Sequence, residues 1–520
     1  MSDAFQEAMA QGYGFDGPSI VLGSPIIDGK VAAPAHVRVP LAMLNRHGLI
    51  AGATGTGKTR TLQLLADQLS RAGVPVFCAD MKGDLTGLAA AGQPNSKIES
   101  RVKSIGLPFE PSASPVEFLS LTGTNGQQLR ATVSSFGPLL LAKALSLNET
   151  QTSVLTLVFK YADDSRLPLL DLSDLRAVLQ FLGSDEGKSA LESYGGMSKA
   201  TVGVLLRKLV ELEAQGAERF FGEPEFDVND MLRTTSDGRG VVTCLELSDA
   251  QDKPALFSTF MMWLLAELYH NLPEAGDLPR PKLVFFFDEA HLLFDDASRA
   301  FLDQIQRVVR LIRSKGVGVY LVTQTPKDVP EEVLAQLGNR VQHALRAHTP
   351  NDDKALKATV RTYPKTEYYD LEETLTSLGI GEAVITVLDP RGAPTPVVAS
   401  RLVPPSSRMA PLTPEELQAD IRQSDLISEY GQPVDRESAR EMLAERMGKM
   451  EAPADAEAPQ PKPKRGRSIG KSTAAAAGAA VVGALSTSIG RTVGREIVRG
   501  LFGMLGMKPP RTRRSTRSRW

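Results

Sequence analysis

Eight residues, Gly52-Ala53-Thr54-Gly55-Thr56-Gly57-Lys58-Thr59, have the types and spacing of a loop that grips phosphates. Glycines let backbone N–H groups converge on an anion at a helix N-terminus. Lys58 can then reach the β- and γ-phosphates while the Thr59 hydroxyl ligates Mg²⁺. The apolar run Gly48–Ala51 leads into the loop, and Arg60 opens a stretch of helical spacing behind it. Strand, glycine-rich turn and helix thus occur in the order the chemistry needs. The stretch from Gly52 through Thr59, with Arg60, is the expected cofactor site for ATP and Mg²⁺.

Two acids at the end of a second apolar run extend this chemistry. In Phe285-Phe286-Phe287-Asp288-Glu289, Asp288 would join Thr59 in the Mg²⁺ shell, and Glu289 is placed to polarise an attacking water. Gln324, at the end of the next apolar run, could sense the γ-phosphate. Asp80-Met81-Lys82-Gly83-Asp84 closes the strand after the loop helix, where either acid could order the metal shell or simply shape a turn. Arg310 and Arg313 end a helix just before the sensing strand. Either fits an arginine finger entering a neighbouring subunit's site, or an ordinary cation at a helix C-terminus. Arg313 is the stronger finger candidate, with Arg340 and Arg346 as further ones. The expected catalytic set is therefore Lys58, Glu289, Gln324 and Arg313.

The elements that must position these residues read as α/β. Residues 1–47 suggest a short β element. Residues 48–125 and 226–400 carry near-continuous apolar strands, which argue for a parallel sheet buried on both faces. They are Val74–Asp80, Val241–Leu247, Lys282–Phe287, Gly316–Thr323, Arg340–Leu345 and Glu382–Leu388. Helical stretches at Leu256–His270 and Phe301–Arg313 alternate with them. Between the two halves, residues 126–225 turn helical in pattern and read as an inserted subdomain. A polar helical extension occupies 401–450, and 451–520 combine a disordered linker with a basic tail.

Composition supports a globular chain of 520 residues with 42% hydrophobic and 23% charged content. Cys78 and Cys244 lie inside apolar runs, which points to buried strand residues of a reducing compartment. The N-terminus has neither a basic start nor an apolar core, so a cytoplasmic protein is expected. The net charge of −2 conceals an asymmetry, because Lys462–Trp520 carries 14 Lys or Arg against Glu496 alone. Arg491, Arg495 and Arg499 recur opposite Val493, Ile497, Leu501 and Leu505 on a helical wheel. Such a tail suits an anionic partner, either nucleic acid or a membrane surface. Ala474–Gly490 is uncharged but too rich in small residues to read as a spanning helix.

Taken together, the chain resembles the HerA–FtsK family of ring-forming DNA-pumping ATPases, most of all its bacterial HerA-like group, the YjgR type. The matching pieces are His47–Thr59, Asp80–Asp84, Phe220–Pro224, Phe287–His291, Arg313–Val319 and Thr323–Pro330. The resemblance implies a RecA-like P-loop core assembled as a homo-hexamer, ATP between subunits, and duplex DNA in the central channel. HerA proper carries an N-terminal β-barrel, for which the segment before this core is too short, so the nuclease partner that docks there is not expected. Asp288-Glu289-Ala290-His291 spells the letters of another helicase group, which the surrounding motifs do not support. His291 is expected to be a packed residue at a helix start. The leading expectation is an ATP-driven motor on double-stranded DNA. The others are a membrane-surface ATPase that moves or remodels protein, anchored peripherally at the inner membrane by its tail, and a nucleotide-gated scaffold.

Overall fold

Runs of Val, Ile, Leu and Phe too short and too β-branched for helices build the centre of the molecule. The computed structural model describes residues 2–191, 194–294 and 299–451. Residues 1–440 form one compact unit and residues 441–520 a second. The latter is described only in the last turns of the helix Ala439–Glu451. The expected basic tail, with its arginine stripe and its Ala474–Gly490 stretch, lies outside the described residues.

Among the described residues one sheet holds 13 strands. They are β1 (Ser19–Ile27), β2 (Lys30–Val31), β3 (Val37–Pro40), β4 (Gly48–Ala51), β5 (Val76–Asp80), β6 (Val116–Ser120) and β7 (Gln127–Gln128). These are followed by β8 (Val242–Glu246), β9 (Leu283–Phe287), β10 (Val317–Thr323), β11 (Asn339–His343), β12 (Glu382–Thr386) and β13 (Val398–Leu402). Across the sheet the order is β2-β1-β13-β12-β11-β4-β10-β9-β5-β8-β6-β7, with β3 paired to β1. From β11 to β7 every neighbouring pair is parallel. β4, β5, β8, β9 and β10 are buried along their whole length, as expected where helices cover both faces.

The far side departs from the parallel expectation. β12, β13 and β1 run antiparallel to their neighbours. The strand Val398–Leu402 escaped the sequence reading because proline-rich segments flank it. A helix at Ser2–Tyr13 also escaped: its buried residues Phe5, Met9 and Tyr13 recur every four positions, but alanine and glutamine dilute the pattern. Between β7 and β8 the chain is helical, with helices at Val133–Ala144, Glu149–Asp164, Leu172–Gly183, Asp185–Ala190 and Lys199–Ala214. Asn148 with Gln151, and Asp171 with Asp174, form reciprocal capping boxes that start two of these helices. Helices at Pro254–Asn271 and Arg299–Ile312 cross between the later strands. Cys78 and Cys244 are free, buried and paired in register across β5 and β8.

One buried amide locks the central strands at their N-terminal ends. Asn339 Nδ2 donates towards the Met43 and His47 carbonyls at 3.0 and 3.1 Å and towards the Tyr320 hydroxyl at 3.1 Å. Its Oδ1 accepts from Leu388 N at 3.1 Å. Truncating it strands several buried partners at once. We expect Asn339→Ala to lower unfolding free energy by roughly 3 kcal/mol in chemical denaturation. A loss below about 0.5 kcal/mol would show that these strands are held by packing alone.

Candidate functional site

The glycine-rich loop springs from the C-terminal end of β4 and is wedged between the ends of β10 and β11. Gly52 N donates to the carbonyls of Thr323 and Gln324 at 3.2 and 3.1 Å, and Ala53 N donates to Ala344 O at 2.8 Å. A Cβ on Gly52 would lie 2.5 Å from the His343 Cβ, so no side chain fits there. Thr56 closes the loop on itself through Oγ1 to Ala53 O at 2.7 Å, and Gly381 N grips the Thr56 carbonyl at 2.9 Å. Gly57, at φ 117°, turns the chain directly into the helix Lys58–Arg71 without a side-chain cap. The first N–H groups of that helix therefore face the loop's concavity, where an anion completes them. Lys58 Nζ lies in the same concavity, donating to the Gly52 and Ala53 carbonyls at 2.9 and 3.3 Å. Burial holds its pKa below the usual lysine range, against the pull of Glu289 and Asp288.

Acids crowd the neighbouring strand ends. Asp80 ends β5, Asp288 follows β9, and one oxygen from each lies with one from Asp84 inside a 4.8 Å cluster. Asp80 is engaged in shaping its turn, since its carboxylate accepts from Lys82 N, Gly83 N and Leu85 N at 3.1, 2.8 and 2.8 Å. Asp84 Oδ1 is buried with no hydrogen-bond partner among the described residues. Burial, reinforced by Asp80, Asp84 and Glu289, pushes Asp288 up to about 7, and burial pushes Asp80 up to about 6. An orphaned carboxylate oxygen inside a cluster of hard oxygen donors fits a divalent cation such as Mg²⁺. Asp288 and Asp84, with the Thr59 hydroxyl at the helix start, are the residues that would hold it. A second cluster of Asp80, Cys244 and Glu246 does not fit a metal. Both Asp80 oxygens are already bonded to backbone, and burial raises Glu246 to about 9, keeping it neutral.

Glu289 stands beside this cluster in a left-handed backbone conformation, φ 47°, which a non-glycine residue adopts at a cost of about 1 kcal/mol. Its Oε1 is ion-paired with Lys82 Nζ, and His291 Nδ1 lies 3.3 Å from its Oε2. Glu289, Lys82, His291, Gln251 and Gln324 line one open cavity of about 180 Å³. Gln324 thus joins two parts of the site: its carbonyl anchors the loop root at Gly52, and the residue lines the cavity of Glu289.

Residues 27–510 match the family described as Helicase HerA-like C-terminal. The chain belongs to the HerA-like helicase family. It is 24% identical over 369 residues to the DNA double-strand break repair helicase HerA of Sulfurisphaera tokodaii, covering 70% of this chain and 66% of that relative. A probable helicase of Methanocaldococcus jannaschii is 34% identical over 115 residues, 22% of this chain and 21% of the relative. Among solved structures, the unbound bacterial conjugative coupling protein TrwB shares the fold at a TM-score of 0.51 and 15% identity. That match covers 79% of this chain and 94% of TrwB. The core is accordingly a RecA-like P-loop ATPase fold on a mostly parallel sheet.

In this HerA-family site the tertiary structure brings Lys58, Thr59, Asp288, Glu289 and Gln324 to one edge of the sheet. Arg313 is not among them. It begins the short 3₁₀ segment Arg313–Lys315 that precedes β10, so it sits at the opposite end of the strand from Gln324. There it is exposed, with Arg46 and Asp277 as charged neighbours. Arg310 is exposed too, Arg340 donates to Thr362 Oγ1 at 2.7 Å, and Arg346 donates to Thr376 O at 2.9 Å. Arg60 bonds Gln63 Oε1 at 2.9 Å on the loop helix. His291 is not simply packed: it sits in the segment Ala290–Leu293 and faces Glu289.

Two residues went unassigned in the sequence reading. Lys82 lies inside the segment Asp80–Asp84, but nothing in the spacing joins it to Glu289. His343, buried at the end of β11, sets Nε2 2.9 Å from Thr61 Oγ1, and burial lowers it to about 4, so the ring supports the loop helix in its neutral form. Its only signal was a histidine ending an apolar run, which does not say that β11 lies beside β4.

The crowded acids make stability depend on pH and on cations. The folded-state values of Asp288 and Asp80 lie above the ordinary carboxylate value, so the fold favours their protonated forms. Their contribution is fully present below the ordinary carboxylate range and is lost as pH rises through about 6 to 7. In EDTA, thermal unfolding should move to lower temperature between pH 5 and about 8, and millimolar Mg²⁺ should reverse the loss at the upper end. Asp84→Asn should raise the melting temperature in EDTA at about pH 8 and shrink the Mg²⁺ response. A flat pH profile would mean these carboxylates are not crowded in solution.

Proposed function

We propose that this chain is an ATP-hydrolysing motor that translocates on double-stranded DNA as a ring of identical subunits. The observation that carries the reading is the convergence of Lys58, Thr59, Asp288, Glu289 and Gln324 at one strand-end edge. A phosphate-binding loop with metal-ligand acids but no adjacent base would suffice for a switch. Glu289 adds a base 7% exposed and poised over an open cavity, as turnover requires.

The division of labour follows from the geometry. The N–H groups at the start of the helix Lys58–Arg71 bind the β- and γ-phosphates, and Lys58 exchanges its loop carbonyls for phosphate oxygens. Thr59, Asp288 and Asp84 would hold Mg²⁺, which would supply positive charge against the phosphates. Glu289 orients the water that enters its cavity and takes its proton. Gln324 contacts the γ-phosphate end and reports its loss through the Gly52 hydrogen bond to β10. Arg313, at the opposite edge, is free to serve the site of a neighbouring subunit, and this placement supports an assembled ring as the active form.

DNA as the track is supported by the family and by the DNA-repair name of its HerA relatives, of whose length the chain spans 66% in the Sulfurisphaera case. The expected +13 tail could add a nonspecific tether. Among the described residues no helix is long and apolar enough to cross a membrane. A cytoplasmic motor is our reading.

Lys58→Ala should abolish nucleotide binding by fluorescence titration. Glu289→Gln should retain ATP but slow hydrolysis by about 10³-fold in a phosphate-release assay. Adding linear duplex DNA to the full chain should raise ATP turnover severalfold, whereas turnover indifferent to DNA would favour the membrane or protein-remodelling reading. Arg313→Ala should leave binding intact and cut turnover by about 10³-fold in the assembled ring. Normal turnover in that variant would remove Arg313 from the finger role.

A further inference from the structure

The function just proposed uses one lysine, yet two converge on its reacting edge. Lys82 sits on the turn Asp80–Asp84, whose backbone is immobilised by the three N–H bonds to Asp80. The Gln251 side chain adds a further bond to Met81 O. The backbone position of Lys82 is therefore set, while its side chain is half exposed, at 51%, and free to swing. In this structure its Nζ pairs with Glu289 Oε1. The same ammonium is close enough to Lys58, Asp288 and Asp84 for their charges to act on one another.

We propose that Lys82 is a second phosphate-facing lysine that exchanges between the Glu289 carboxylate and the γ-phosphate, so that only a triphosphate frees Glu289 to act on water. The inference rests on the ATP-site reading above and deepens it. A carboxylate neutralised by a bonded ammonium is a weaker acceptor for water than a free one. Glu289 lines the cavity it shares with Lys82 and Gln324, next to the place a γ-phosphate would occupy with Lys58 and the helix N-terminus holding the β-phosphate. A γ-phosphate there carries more charge than the carboxylate and competes for the swinging ammonium. A diphosphate does not reach it, and Lys82 stays on Glu289. The exchange breaks one charge-assisted hydrogen bond and forms another, with no covalent change, and thereby couples readiness for hydrolysis to the nucleotide present.

A lysine with only a structural role would not distinguish tri- from diphosphate, which defines the test. The full chain, with Mg²⁺, is titrated with fluorescent ATPγS and fluorescent ADP. Lys82→Ala should weaken ATPγS by about tenfold or more and leave ADP within about twofold, and Lys82→Arg should recover most of the ATPγS affinity. ADP binding in Lys82→Ala also reports that the site is folded. Equal weakening of both nucleotides, or of neither, overturns the exchange. Lys58→Ala, measured beside it, should lose both nucleotides. If it binds both normally, the phosphate-loop reading itself has failed, and that result cannot be mistaken for a failure of Lys82 alone.

Discussion

Negative charge gathered at the C-terminal ends of parallel strands is the constraint on which this HerA-family core depends. Asp80, Asp288, Glu246 and Glu289 are buried, and Asp84 is half-buried among them. Each carboxylate withdrawn from water loses solvation, and each raises the cost of ionising its neighbours. The structure answers in three ways: backbone N–H groups bond both oxygens of Asp80, burial favours the protonated form of Glu246, and Lys82 pairs with Glu289. Asp84 and Asp288 are left with oxygen capacity that a hard divalent cation would complete. Burial and crowding favour the protonated forms of Asp288 and Asp80, and a cation bound beside them would relieve that crowding.

The phosphate loop is bound into the sheet so that its state cannot change privately. Its root hangs on the carbonyls at the end of β10 and beyond β11, and its Thr56 carbonyl is held by Gly381 just before β12. A shift of the loop therefore pulls on three strands at once. Gln324 belongs to the same hydrogen-bonded junction, so the proposed γ-phosphate sensor and the glycine-rich loop are one mechanical piece. Behind that junction, neutral His343 braces the loop helix through Thr61, and a charged ring there would oppose Lys58.

The readings that held were those with strong local causes. Phosphate-loop geometry follows from glycines that alone tolerate the close backbone approach at Gly52, and buried strands follow from unbroken apolar runs. Readings weakened where the cause was distant. Val398–Leu402 forms a strand because β12 and β1 offer edges on either side, and no local periodicity announces that. The helix Ser2–Tyr13 is held by three buried residues spaced along a diluted pattern. Lys82 meets Glu289 only because β5 and β9 are neighbours in the sheet, with more than 200 residues of chain between them.

By itself, the sequence determined that the chain holds a phosphate loop, a paired acid at a strand end and an α/β core, because each rests on contacts within a few residues. Tertiary structure decided which charges meet: Lys82 on Glu289, Asp84 beside Asp288, and His343 beneath the loop. Strand order is set by the packing of a whole sheet, and Coulomb interaction falls with distance in space, not along the chain. The sequence can therefore name the charged groups, but only the folded sheet selects their partners.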